Sequence, residues 1–257
     1  MRMKHGVTGL LLEAFNIKTG DIITLTGAGG KTTALYQLGK ELQERKVLLT
    51  LTTKMKYPEK GQADEIYSEK EVEILTIKRS NGRTFLYGER LQNNKCGSVS
   101  EANIEIVAKG YDMTVIEADG TRGLPLKGYL KSEPCIPNFA TINVGIATIY
   151  SIGQIAGEAV ILRKEEFTRM LNIKMGEVLT EKHIAKWIAH SDGMFRGSQG
   201  KRILFFNQIE SEKEKVLAQA VIHCLDEDFR KQLFRIIIGS INNRTYQIFD
   251  GREEDSG

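Results

Sequence analysis

The segment that most constrains this chain runs from residue 22 to about residue 45. A β-branched run at residues 22–26 leads straight into Gly27-Ala28-Gly29-Gly30-Lys31-Thr32-Thr33. The run predicts a buried strand. Beyond the glycines, Ala34, Leu35, Leu38 and Leu42 recur at helical spacing, so an amphipathic helix is expected from Thr32 to about Arg45. Residues 47–53 form a second β-rich run. Strand, glycine turn, helix and strand together make a βαβ unit, which requires parallel strands and a right-handed crossover.

A glycine turn between a strand and a helix is suited to holding phosphate. Glycines let the backbone wrap tightly and aim successive N–H groups at one anion, and the helix start adds its dipole. Gly27, Ala28, Gly29, Gly30, Lys31, Thr32 and Thr33 are therefore the predicted site for a nucleoside triphosphate with Mg²⁺, the nucleotide being ATP or GTP. Lys31 reaches the β- and γ-phosphates as a catalytic point charge, and the Thr32 hydroxyl ligates the metal. Thr33 either contacts the α-phosphate or caps the helix. The full phosphate-loop pattern has a further glycine where this chain has Leu25, so the loop is the shortened Gly-x-x-Gly-Lys-Thr form.

Such a site also needs an acid at the end of a neighbouring strand. Residues 113–117 read as an apolar strand ending in Glu117, with Asp119 two positions on. Continued strand alternation would turn both carboxylates to one side. They are the candidate catalytic and Mg²⁺-holding acids: either both serve the metal, or one of them orients an attacking group. Arg122 and Lys127 follow on a Gly/Pro-punctuated loop that either closes over phosphates or a second anionic substrate, or is simply solvated. Thr53 and Lys54, ending the second strand, carry the same two readings. Further on, residues 203–206 run into Asn207-Gln208-Ile209-Glu210, which is similar to the Asn-Lys-x-Asp base-reading motif. Asn207 and Glu210 are the base-recognition candidates, with an ordinary strand-end turn as the alternative.

The remaining pattern alternates helices and strands. Helices are expected at residues 10–15 and 99–109, and Val216, Leu217, Ala220, Val221 and Cys224 mark one helical face. Further strands are expected at residues 234–238 and 246–249, and residues 252–257 read as a frayed acidic tail. This order predicts an α/β, P-loop NTPase-like, doubly wound and mostly parallel sheet in a single domain over 1–257. Residues 56–97 differ in character. Residues 74–78 and 84–87, around Asn81-Gly82, predict a hairpin that is either an inserted piece or a sheet edge.

Composition narrows the partners. Basic and acidic residues intersperse to a formal net charge of +3, which leaves no electrostatic footprint for nucleic acid or an anionic membrane. No apolar run reaches the roughly 20 residues that a membrane-crossing helix needs. The three cysteines are far apart and odd in number, which suits a reducing compartment, so a cytoplasmic location is expected. His183 and His190 lack carboxylate or cysteine partners at ligand spacing and are not read as a zinc site. Trp187, with Ile184 and Ile188, reads as core.

The runs GAGGKTT, LTTKM and VIEADGTRGLPLK resemble the YqeC family, accessory proteins of selenium-dependent molybdenum hydroxylases, over about residues 20–250. The resemblance implies a P-loop NTPase role in maturation or cofactor insertion for such a hydroxylase, with the hydroxylase or its cofactor as partner. It implies nucleotide binding at Gly27, Gly29, Gly30, Lys31, Thr32 and Thr33, and a switch-like strand end at Thr53 and Lys54. Glu117, Asp119 and Arg122 then line the metal and phosphate region. Relatives often carry His-Arg-Pro-Glu later in the chain, where this sequence reads Leu162-Arg163-Lys164-Glu165. Two other functions fit the same loop: an ATP-dependent ligase or kinase activating a small anion, and a non-catalytic nucleotide-binding regulator. No second cation stands out as an accelerator of phosphoryl transfer, so weak basal hydrolysis is expected.

Overall fold

The computed structural model describes residues 7–250. Ten strands form one sheet. In chain order they are β1 (Val7–Thr8), β2 (Ile22–Gly27), β3 (Lys46–Leu51), β4 (Glu65–Ser68) and β5 (Gly82–Tyr87), then β6 (Met113–Glu117), β7 (Ile142–Ala147), β8 (Lys201–Phe206), β9 (Leu233–Ser240) and β10 (Thr245–Asp250). Across the sheet the order is β1-β10-β9-β8-β7-β2-β6-β3-β5-β4. Every pairing from β9 to β4 is parallel, and β10 and β1 add an antiparallel edge. This is the α/β, mostly parallel architecture expected from the sequence, consistent with a P-loop NTPase-like fold.

Helices cover both faces, which is why the central strands are buried on both sides rather than alternating between buried and exposed. The helices are α1 (Leu11–Ala14), α2 (Lys31–Glu41), α3 (Glu101–Ala108), α4 (Lys164–Leu171), α5 (Glu181–Ala189), α6 (Glu212–Cys224) and α7 (Glu227–Gln232). Ile203 and Phe205 of β8 join one buried cluster with residues of α1, α2 and α3. Leu204 and Phe206 join another with residues of α4, α5 and α6. Trp187 sits fully buried in the second cluster, as its spacing predicts, and its indole N–H donates to the Lys127 carbonyl at 2.8 Å.

Three expectations need correction. Residues 74–78 are not a strand: Ile74–Thr76 is a 3₁₀ turn, and Leu75 is 66% exposed. Gly82 opens β5 rather than turning a hairpin, and β5 is flanked in parallel by β3 and β4, so neither edge remains for residues 74–78. A small hairpin does lie in this region, between Arg90–Leu91 and Lys95–Cys96, extended by Met55–Lys56. The buried face of α6 is set by Ala218, Val221 and Ile222, while Val216 is 60% exposed and Cys224 is exposed. A reciprocal capping box between Ser211 and Glu214 fixes where the helix starts and so which residues turn inward. Finally, β7 has no counterpart in the sequence reading, yet it pairs with β2 in the middle of the sheet.

The predicted acidic tail at residues 252–257 lies outside the described residues. Among those described, no helix is long and apolar enough to cross a membrane.

Phe205 bridges the sheet centre to its edge, its ring 5.6 Å from Phe15 and 6.0 Å from Tyr246. Phe205→Ala removes that link and is expected to destabilise the fold by about 3–5 kcal/mol, read as a lower urea midpoint; an unchanged midpoint would contradict this packing.

Candidate functional site

The glycine turn leaves the carboxyl end of β2, between β6 and β7, where a doubly wound sheet opens its ligand crevice. Gly27, Gly29 and Gly30 take φ values of +85°, +101° and +124°, which L side chains rarely adopt. Space is restricted as well. A Cβ on Gly27 would lie 2.2 Å from the Ile146 carbonyl oxygen, and one on Gly30 would lie 2.4 Å from the Asn207 amide nitrogen. The loop is thus clamped by the ends of β7 and β8. The helix that follows, α2, begins at Lys31 with no side-chain cap, and Lys31, Thr32 and Thr33 line a cleft of about 1030 Å³. Uncapped first-turn amides on a cleft wall are an anion site by geometry.

A chain of buried charges supports the loop from beneath. Asp119 is fully buried; one carboxylate oxygen accepts the Gly27 N–H at 3.0 Å and the other lies 3.0 Å from the Lys31 ammonium. Lys31 also donates to the Gly27 carbonyl at 2.5 Å. Lys127, likewise fully buried, lies 3.8 Å from Asp119 and 3.1 Å from Glu133. It donates to the Gly120 carbonyl as well, and Glu133 is gripped in turn by both terminal nitrogens of the Arg163 guanidinium. Lys127 is therefore an interior cation rather than a cleft-lining loop charge. Asp119 points into the loop's underside, while Glu117 lies on the cleft. The two acids diverge because β6 ends at Glu117, so strand alternation does not carry through to Asp119.

Glu117 accepts a hydrogen bond from the Thr32 hydroxyl at 2.8 Å. Burial pushes its carboxyl above the ordinary value of 4.5, partly offset by the Lys31 charge and the Thr32 hydrogen bond. A hydroxyl and a carboxylate side by side on a phosphate cleft fit Mg²⁺, which takes one or two protein oxygens and completes its shell with water and phosphate. Tyr129 is buried, and its hydroxyl is held neutral by desolvation first and by the Asp119 charge second.

The other predicted residues divide. Thr53, Lys54 and Arg122 line the cleft with the loop. Asn207 is buried, its amide donating to the Gly29 carbonyl at 2.7 Å and its oxygen accepting the Ile241 N–H at 3.0 Å, so it braces the loop. Glu210 is exposed, accepts from the Ser240 hydroxyl at 2.9 Å and is not part of the cleft wall. The cleft also takes in Thr148, Tyr150, Gln208, Lys95 and Arg163, none of which the sequence reading assigned to the site. Thr148 and Tyr150 follow β7 directly, so recognising that strand would have drawn attention to both.

Comparison with known proteins follows from this geometry. The model of the family described as "YqeC protein" matches residues 23–165, more than half of the chain, and the chain belongs to that family. The matched span holds the glycine loop, Glu117, Asp119, Arg122 and Arg163, and ends before Asn207. The chain is also similar to "Uncharacterized protein YqeC" of Escherichia coli (strain K12), 26% identical over 219 residues that cover 83% of this chain and 85% of the relative. No solved structure matches.

The two acids predict stability effects of opposite sign. Asp119→Asn leaves Lys31 and Lys127 short of a buried counter-charge and is expected to destabilise by about 3–5 kcal/mol. Glu117→Gln keeps an acceptor for Thr32 and removes a carboxylate that burial disfavours. A raised folded-state pKa means wild-type stability is lost, relative to the variant, as pH rises from 4.5 through the folded value. Glu117→Gln should therefore be the more stable protein at about pH 8 and match wild type near pH 4. Urea midpoints at both pH values test the pair; a Glu117→Gln protein less stable at the higher pH would contradict the assignment.

Proposed function

We propose that this YqeC-family chain binds a nucleoside triphosphate with Mg²⁺ at residues 27–33 and turns it over slowly until a partner completes the site. The observation that carries the reading is the loop itself. Three left-handed glycines, two of them hemmed in by neighbouring strands, lead into an uncapped helix beside a large cleft. Glycine takes this backbone freely where a side chain would not fit, and so lets the chain approach a ligand closely.

Each residue then has a task. The loop amides and the start of α2 take the phosphate oxygens. Lys31 exchanges its contact with the Gly27 carbonyl for the β- and γ-phosphates, while Asp119 keeps the loop in register. Thr32 and Glu117 hold the metal, which when bound neutralises developing phosphate charge. Where the metal is held through water, the Glu117 carboxylate on the cleft wall is also placed to accept a proton from an attacking water or hydroxyl. Thr148, Tyr150 and Gln208 lie on the side of the loop taken by β7 and β8, where the nucleoside is expected, and they leave ATP and GTP as equal candidates. Asn207 contributes to the site by fixing Gly29.

The family likeness supports a role in maturing, or inserting a cofactor into, a selenium- or molybdenum-dependent hydroxylase, and the sparse cysteines and balanced charge support a cytoplasmic setting without nucleic acid or membrane as partner. A second reading, a ligase or kinase acting on a small anion, is favoured by one observation: cations on the cleft wall well outnumber its carboxylates.

Lys31→Ala should lower Mg²⁺-triphosphate affinity by about 100-fold or more in calorimetry while the circular dichroism spectrum is retained. Glu117→Gln should leave affinity within about tenfold and reduce turnover by about 10²–10⁴-fold. Wild-type binding by the Lys31 variant would refute the loop assignment, and wild-type turnover by the Glu117 variant would remove that acid from the chemistry.

A further inference from the structure

The cleft carries more positive charge than one Mg²⁺-bound triphosphate needs. Lys31, Lys54, Lys56, Lys95, Arg122 and Arg163 line it, against only Glu117 and Glu133. Lys31 belongs to the loop, and Lys56 pairs with exposed Glu59. Among the described residues Lys54, Lys95 and Arg122 have no carboxylate partner. Glu133 is committed to Lys127 and Arg163.

The backbone that carries these exposed cations to the cleft is itself held in place. Lys95 is fixed beside Lys56 by a short antiparallel pairing, and Glu59 offsets only the Lys56 charge. Arg122 and Arg163 both adopt left-handed backbone, at φ +53° and +57°, a conformation that disfavours a side-chain-bearing residue. Their segments are joined: Leu126 and Lys127 pair in parallel with Ile161 and Leu162. The Arg122 turn is closed by the Leu124 N–H on the Thr121 carbonyl, and Arg163 is clamped by Glu133. Left-handed side-chain-bearing residues held in place by surrounding structure are a feature of ligand sites.

Topology separates this wall from the nucleoside. Thr148, Tyr150 and Gln208 follow β7 and β8 on one side of β2, whereas Lys54 and Arg122 follow β3 and β6 on the other. A nucleotide seated on the loop with its base toward β7 and β8 leaves the cationic wall beyond its terminal phosphate. The volume of about 1030 Å³ is at the upper end for a single small-molecule site. Leu124, Pro125 and Leu162 add apolar surface to the same wall.

We propose that Lys54, Lys95 and Arg122 bind a second substrate alongside the nucleotide: a small molecule bearing a phosphate or carboxylate on a partly apolar body. This rests on the nucleotide reading and deepens its second form, a kinase or ligase acting on a small anion.

The test uses the full chain saturated with a Mg²⁺-bound, non-hydrolysable triphosphate analogue, into which inorganic phosphate or succinate is titrated at low ionic strength. Saturable binding of at least one probe is expected, phosphate and succinate distinguishing the two head groups. The Lys95→Glu variant should weaken that binding by about tenfold or more while keeping analogue affinity within about threefold. Lys95 is exposed, so the variant is expected to fold, and its urea midpoint checks this. Absence of saturable binding of either probe to the loaded wild type would overturn the proposal, as would equal probe binding by the Lys95→Glu variant. Failure of wild type to bind the analogue in the first place would instead overturn the nucleotide reading, and this proposal with it.

Discussion

A fully buried carboxylate, Asp119, holds the glycine loop in shape. It accepts the Gly27 amide with one oxygen and faces the Lys31 ammonium with the other, so the first glycine and the lysine are tied to the strand next door. A buried ion pair of this kind contributes little net stability compared with apolar packing. What it gives is register: Lys31 is held at the loop before any ligand arrives, and the loop amides are not free to collapse. Through Lys127 and Glu133 the same charge chain reaches Arg163, so the loop and the far end of the cleft share one support.

That support works because of where β2 sits. With β6 and β3 on one side and β7 and β8 on the other, the carboxyl ends of five parallel strands open onto a single crevice. Strands β3 and β6 deliver Thr53, Lys54, Glu117 and Arg122, while β7 and β8 deliver Thr148, Tyr150 and Gln208. Helices on both faces keep the strands apolar and fixed, so function is confined to the segments that follow them. Glu117 is the exception, a carboxylate drawn into the sheet's end and disfavoured there by burial. A group kept at the expense of stability is a candidate for function.

Much of this was legible in sequence, for reasons that can be located. β2, β3 and β6 are compact runs of aliphatic residues and threonine, and the glycine turn requires conformations only glycine takes freely, so the loop and its flanking elements could be read directly. β7 was hidden because Asn143 and Gly145 interrupt it. Both make sense only in three dimensions: Asn143 accepts from Thr24 at 2.7 Å, and a Cβ on Gly145 would lie 2.5 Å from the Met194 sulfur. The Asn81-Gly82 pair suggested a hairpin, but a turn dipeptide does not determine which strands pair across it. Lys127 looked like a loop charge because its counter-ions, Asp119 and Glu133, are gathered only by folding. Arg163 appeared only within a segment that departs from the relatives' pattern at Leu162 and Lys164, and its place on the cleft depends on the pairing of residues 126–127 with 161–162.

The central claim is that the loop amides bind phosphate. The most direct measurement is a titration of protein labelled with ¹⁵N in glycine and lysine, following the Gly27, Gly29, Gly30 and Lys31 amide resonances as Mg²⁺-ATP and Mg²⁺-GTP are added. The account predicts large, saturable shifts at Gly29, Gly30 and Lys31 with one or both nucleotides, and smaller shifts at Gly27, whose amide is already held by Asp119. Unmoved loop resonances at millimolar concentrations of both nucleotides would contradict it.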